Sequence, residues 1–288
     1  MIRPMVADDL PGLVNSSTAA FANLRQRLGL TGSAPSPAPR RKEVGEAIVR
    51  QLLDLDAAGA WTALIDNSVV GVAMAGLREG LWFLAQLHLV PAYQGRGIGR
   101  RLLEAAIAYG GQAKGMLLHS SLDPQAMRCY QRAGFALEPA LQAAGQLRRR
   151  AVPAVSGVHP GGPEHLDLVA DLDRAQRGGA HGPDLELLLG LGAEVFIIDS
   201  GPHRGYALVQ DEPRIVAATD AATAQALLWT ALAESPDGEV GVQVLRADQQ
   251  WAIDVSVRAG LQLRPTGPLC RRGDTGTLAP YLPHTALL

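Results

Sequence analysis

Residues 126–137, AMRCYQRAGFAL, and residues 252–263, AIDVSVRAGLQL, carry the same helix-to-strand corner twice. Ala126 and Ala252, Arg132 and Arg258, Ala133 and Ala259, Gly134 and Gly260, and Leu137 and Leu263 are identical pairs. A small residue followed by a glycine free to take the left-handed, helix-ending conformation explains the Ala-Gly core of the match. A weaker likeness links ALIDNSVVGVAMA to FIIDSGPHRGYALV. A chain that repeats such a corner is constrained to fold as two versions of one unit, and 288 residues suffice for two hydrophobic cores.

Periodicity gives the unit an order. A strand at IRPM precedes an amphipathic helix traced by Leu10, Leu13, Val14, Ser17, Phe21, Leu24 and Leu28. After the loop GLTGSAPSPAPRRK comes a second helix through Val44, Ile48 and Leu52, ended by Gly59. Three strands follow, AWTALI, VVGVAMAGL and LWFLAQLHLV, antiparallel by the shortness of their turns. A helix opening near Gly97, the strand GMLLHS, a helix with Asp123 as its cap and Pro124 at its first position, and the strand GFALEP complete the unit. The pattern dissolves from Leu141 to Pro153, as a linker does, and the same order then returns. The expectation is an α+β protein with domains at residues 1–145 and 152–288, each a mixed, mostly antiparallel sheet flanked by helices.

Composition excludes several classes. A formal net charge of −2 gives no reason to expect a nucleic-acid or anionic-membrane partner, and Arg148-Arg149-Arg150 reads as a solvated linker edge. Cys129 and Cys270 lack the spacing of metal ligands or of a disulfide framework, so no metal is expected. The start MIRPMVADDL lacks the pattern of a signal peptide, and no apolar run is long enough for a membrane helix. A cytoplasmic protein, monomer or homodimer, is expected.

The chemistry concentrates at LHLVPAYQGRGIGRRLLEAAI. After an apolar strand, Gln94-Gly95-Arg96-Gly97-Ile98-Gly99 opens a helix. Absent side chains let successive backbone N–H groups point into one concavity, the helix N-terminus adds partial positive charge, and Arg96 and Arg100 add formal charge. That is a pyrophosphate site. It is not a Rossmann loop, because Arg100 or Leu102 falls where the third glycine belongs, and no Gly-Lys-Ser/Thr of a Walker loop follows.

Gln94, Gly97 and Gly99 match the Q/R-x-x-G-x-G/A signature of the GCN5-related N-acetyltransferases, and the sequence resembles that superfamily. A second motif of the superfamily is met by Ala126, Tyr130, Gly134 and Phe135, with Asp123 in place of the usual Asn. The resemblance spans about residues 1–140 and continues over 155–288 as a degenerate copy. It implies that the glycine corner holds the pyrophosphate of acetyl-CoA as cosubstrate and that Leu87 to Val90 pair with the pantetheine arm. It also implies that a backbone N–H near Leu89 polarises the thioester carbonyl. The acceptor would be a primary amine of a small molecule or peptide. Tyr130 takes the place of the general acid, a phenol that stays protonated at neutral pH. For the base, His88 on the pantetheine strand is the first candidate and His119 the second; Phe83 falls where an acid is frequent. Trp82 and Phe83 are alternatively acceptor lining or core. Cys129 is read as a buried apolar residue, since direct transfer needs no acyl-enzyme. A non-catalytic acyl-CoA sensor, and an acyltransferase using a hydroxyl acceptor or a longer acyl group, are the other readings.

The second half has no such corner. With Leu102-Leu103 set against Leu227-Leu228, Ala222 and Ala224 replace the glycines and Gln225 replaces Arg100; with the two Ala-Gly corners aligned instead, Ser256 stands opposite Tyr130. One cosubstrate per chain follows. The apolar, Pro-interrupted tail GTLAPYLPHTALL is expected to pack on the first half.

Overall fold

The computed structural model describes residues 1–29 and 39–288. The elements of the first half are β1 (Ile2–Pro4), α1 (Leu10–Arg27), α2 (Pro39–Leu55), β2 (Ala60–Ile65), β3 (Ser68–Arg78), β4 (Leu81–Leu89), α3 (Ile98–Tyr109), β5 (Gly115–His119), α4 (Pro124–Arg132) and β6 (Ala136–Gln146). The second half repeats that order as β7 (His159–Pro160), α5 (Leu166–Gln176), α6 (Pro183–Gly190), β8 (Glu194–Ser200), β9 (His203–Gln210), β10 (Glu212–Ala218), α7 (Ala221–Glu234), β11 (Glu239–Arg246), α8 (Gln250–Arg258) and β12 (Gln262–Gly273). A short β13 (Tyr281–Leu282) follows. The fold is α+β, with a mixed sheet in the order β1-β2-β3-β4-β5-β12-β6-β11 and an antiparallel sheet in the order β13-β10-β9-β8-β7.

The two halves exchange their last strands. β12 lies between β5 and β6, antiparallel to both, and β6 in turn pairs with β11. The proposed linker start, residues 141–146, is therefore strand: Leu141 to Ala144 align with Pro265 to Gln262 of β12 on one side, and Leu141 to Gln146 run along β11 on the other. The run LQAAGQ has little strand propensity, and neighbours on both edges satisfy its backbone instead. Gly267 permits the crossing, because a Cβ there would lie 1.8 Å from the Ser120 carbonyl oxygen.

One β-hairpin tip of each half is gripped by the other half. At the β3–β4 turn, Arg78 bonds Asp184 of α6 at 2.8 Å and Asp56 at 2.9 Å, and Glu79 pairs with Arg174 of α5. At the β9–β10 turn, Asp211 and Glu212 meet Arg40 and Arg41 of α2. The Arg78 cluster is buried, so removing Arg78 leaves the Asp56 and Asp184 carboxylates uncompensated at a cost of about 3–5 kcal/mol.

Helices cover both faces of the first sheet. Trp82 points to α3 and donates its indole N–H to the Ala106 carbonyl, while Phe83 points the other way, over Gly76 beside Leu52 of α2. Both are fully buried core residues rather than acceptor lining. α1 is rotated from the expected face: Leu13, Ser16 and Ala20 are buried, whereas Val14 and Phe21 are exposed at 44% and 53%. The tail pairs its backbone with the second half, while Leu278, Tyr281, Leu287 and Leu288 join the core cluster that holds Leu52, Trp82 and Phe83 of the first half. Tyr281 and Leu282 pair with Ala217 and Val216 of β10, in the second half.

Candidate active site

The site begins with one irregularity in β4. Gln86 faces Met74 and Leu84 faces Ala75, so Ala85 is an extra residue, a β-bulge. β4 runs parallel to β5 only from Leu81 to Leu84, against Gly115 to Leu118, and beyond the bulge the two strands part. Leu87 to Leu89 then form one wall of a cleft of about 870 Å³, closed by α1, α3 and α4.

At one end of the cleft is the N-terminus of α3. Gly97 is its cap, with φ 76°, and no side chain satisfies the first N–H groups. Gly95 also has φ 76°, and a Cβ built at Gly95, Gly97 or Gly99 meets no protein atom within 4 Å. Gly71 and Gly110 are different, since there a Cβ would strike Leu89 or Trp82. The corner glycines therefore make room for nothing in the protein. They leave open a concavity lined by unsatisfied donors, which suits an anion.

The cleft contains Leu89, Gln94, Gly95, Gly97, Gly99, Arg100 and Asp123 of the residues expected to hold the cosubstrate. Val90, Arg96 and Ile98 are not in its lining: the Val90 N–H donates to the Val70 carbonyl, and Arg96 lies over the Tyr93 ring. Gln94 braces the corner by donating to the Leu89 carbonyl at 3.0 Å. Asp123 caps α4 through the Gln125 N–H and accepts from Arg27 at 2.8 Å, so a bridge from α1 to α4 borders the cleft. Arg27, Arg128 and Arg132 add positive charge to the lining. Sequence reasoning missed all three, since nothing local marks which arginine on a helix faces a cleft.

Tyr130 and His88 are brought into the same cleft. Tyr130 lies edge-on to Phe135, and its hydroxyl has no hydrogen-bond partner among the described residues. Burial pushes its phenol well up from the ordinary value, so it remains a donor at any physiological pH. His88 stands on the α1 side of β4, 7% exposed, where desolvation lowers its imidazole to about 4. A group so weakly basic cannot strip a proton from a free ammonium ion at neutral pH, which alters the role expected for it. His119 is absent from the lining; its Nε2 bonds the Gly267 carbonyl, and desolvation lowers it too. Cys129 is half-buried in the cleft wall, with its thiol pushed up by burial and so kept as the poorly nucleophilic thiol.

The corresponding places in the second half are filled by the protein itself. α7 is capped by Asp220, whose carboxylate accepts from the Thr223 N–H and hydroxyl and bonds His203. Despite partial desolvation, the His203 and Thr223 bonds hold that carboxyl below its usual range. Asp220 caps α7 as Gly97 caps α3, but two residues farther from the buried Leu pair of its helix, Leu227-Leu228 against Leu102-Leu103. β13 occupies the free edge of β10 where β10 and β11 part. No metal-ligand cluster occurs among the described residues, and no described helix is long and apolar enough to cross a membrane.

A sheet parted at a bulged strand thus opens on a bare helix N-terminus, at the place where the sequence motifs put the glycine corner. Residues 33–135 match the model of the acetyltransferase (GNAT) family. Among solved structures, the chain is similar to one assigned as an acetyltransferase from Pyrococcus horikoshii, with 18% identity, 96% of this chain and 90% of that one covered, and a TM-score of 0.75. A GCN5-related N-acetyltransferase from Sphaerobacter thermophilus aligns over 95% of both chains at 14% identity and TM-score 0.58. One from Kribbella flavida covers 95% of this chain and 71% of its own, at 14% identity and TM-score 0.56. At such identities the likeness is one of fold, and it spans both halves. No curated protein matches the sequence.

Proposed function

We propose that the protein transfers an acetyl group from acetyl-CoA directly to a primary amine of a small molecule or peptide, at one site in its first half. The observation that carries this reading is a single cleft joining an uncapped, glycine-lined helix N-terminus to a protonated phenol and a neutral imidazole. The pyrophosphate would lie on the α3 N-terminus with Arg100 beside it, and the pantetheine arm along Leu87 to Leu89, whose cleft-side edge lacks a neighbouring strand.

The amine nitrogen attacks the thioester carbon and the C–S bond breaks. Tyr130 supplies a proton to the departing sulfur. As the N–C bond forms, the nitrogen becomes cationic and its N–H strongly acidic, so a weak acceptor such as His88 suffices at that moment although it could not deprotonate the free ammonium. Both groups then exchange protons with water, and the amine proton is in effect carried to the thiol.

Asp220 and β13 support a stoichiometry of one: a pyrophosphate at α7 would meet a carboxylate, and a pantetheine arm would have to displace Tyr281 and Leu282 from β10. We read the second half as a degenerate copy that carries its own stand-ins for the cosubstrate. Calorimetric titration with acetyl-CoA tests the reading. One site per chain is expected, abolished in Gly97→Glu, which places an anion and a strained backbone at the cradle while the fold survives. Two sites, or none in the unaltered protein, would refute it.

A further inference from the structure

Ser16 is a polar residue on the buried face of α1, 2% exposed, between Leu13 and Ala20. Alanine would fill the same place with better helix propensity, so the hydroxyl calls for a partner. It has two. Ser16 Oγ donates to the Leu13 carbonyl at 3.1 Å and lies 2.9 Å from His88 Nε2.

A serine hydroxyl carries one proton, and a carbonyl oxygen can only accept. With that proton on the Leu13 bond, Ser16 offers a lone pair to His88, and Nε2 must be the nitrogen that bears hydrogen. The reverse arrangement would turn the Ser16 proton onto Nε2 and leave two oxygens 3.1 Å apart with no hydrogen between them. A neutral imidazole has a single N–H, so Nδ1 is left as an acceptor. His88 lines the cleft, and its Nδ1 has no hydrogen-bond partner among the described residues.

We infer that Ser16 is a positioning residue: it holds neutral His88 in the Nε2–H tautomer and so turns the Nδ1 lone pair toward the amine that enters the cleft. The inference rests on the proposed function for its use of that lone pair, but the tautomer itself does not. It also explains why a histidine can serve while buried: the α1 helix dictates which nitrogen is free. The Phe21 ring of the same helix lies 6.5 Å from the imidazole.

Nitrogen-15 NMR of imidazole-labelled protein near neutral pH, with His88 assigned by its loss in His88→Gln, reads the tautomer without any substrate. The expected spectrum shows His88 protonated on Nε2. Ser16→Ala is expected to give a mixture of tautomers, and Ser16→Thr, which keeps a hydroxyl, to restore one. In the same variants kcat for amine acetylation should fall roughly 10-fold in Ser16→Ala and recover in Ser16→Thr, with acetyl-CoA affinity unchanged. An Nδ1–H tautomer in the unaltered protein, or a Ser16→Ala spectrum identical to it, overturns the inference. Failure of acetyl-CoA to bind would instead overturn the proposed function and leave the tautomer result standing.

Discussion

Tyr130 is held where a phenol keeps its proton, against Phe135 and out of reach of any described acceptor. If it protonates the departing thiolate, Tyr130→Phe should lower kcat by about 100-fold while leaving acetyl-CoA affinity within about twofold, as measured by stopped-flow thiol release and calorimetry. Unchanged turnover would remove it as the acid. The buried imidazoles make a second prediction at this scale. His88 is lowered from 6.5 to about 4 and His284 to about 3, both mainly by desolvation, and His119 moves the same way. The unfolded chain takes up these protons below pH 6.5 and the folded chain does not until much lower. Stability therefore falls as pH drops from 6.5 toward 4, by on the order of 2 kcal/mol at pH 5 for His88 alone. Tm should decline between pH 7 and pH 5, and decline less in His88→Gln; a flat profile would contradict the burial of these groups.

At the scale of elements, two strand edges decide what binds where. The bulge at Ala85 parts β4 from β5 and leaves a free edge beside the glycine corner. The same kind of edge on β10 is taken by β13, and the tail beyond it is anchored: His181 bonds the Leu287 carbonyl at 3.0 Å, and Arg177 holds the Leu288 main-chain oxygen. Tyr281, Leu282, Leu287 and Leu288 are all buried. At about 1.5–3 kcal/mol for each apolar side chain removed from water, their loss approaches the whole stability of a typical domain. A chain ending at Leu278 should lose most of its cooperative melting transition by calorimetry, and a peptide of residues 279–288 added in trans should raise its Tm. A truncated chain that melts like the full one would show that the tail is not a structural strand.

At the scale of the molecule, the exchange of β6 and β12 makes each half incomplete. Without β12, β5 loses its outer neighbour and β6 loses the strand it follows most closely. The hairpin tips lose Asp184, Arg174, Arg40 and Arg41, leaving Arg78 buried with Asp56 alone. Residues 1–147 expressed alone are expected to give no folded monomer by gel filtration and circular dichroism, whereas co-expression with residues 148–288 should yield a complex that binds acetyl-CoA. A folded, acetyl-CoA-binding monomer from the first half alone would show that the shared sheet is dispensable.

What the amino-acid sequence determined by itself is what depends on neighbours in the chain. The glycine corner, the Asp123 cap, the Ala-Gly helix endings and the placing of Tyr130 are all set within a turn or two, by φ values only glycine takes easily and by hydrogen bonds to the next residues. The doubled order of elements was legible for the same reason. What only the tertiary structure decided is register and rotation between distant segments. Which face of α1 is buried, and so whether Ser16 or Ser17 meets His88, depends on how α1 rolls on β4. Whether LQAAGQ is linker or strand, and where the tail lies, depend on strands far away in the chain. Strand pairing uses backbone groups that every residue carries, so it leaves little mark on the side chains from which a sequence is read.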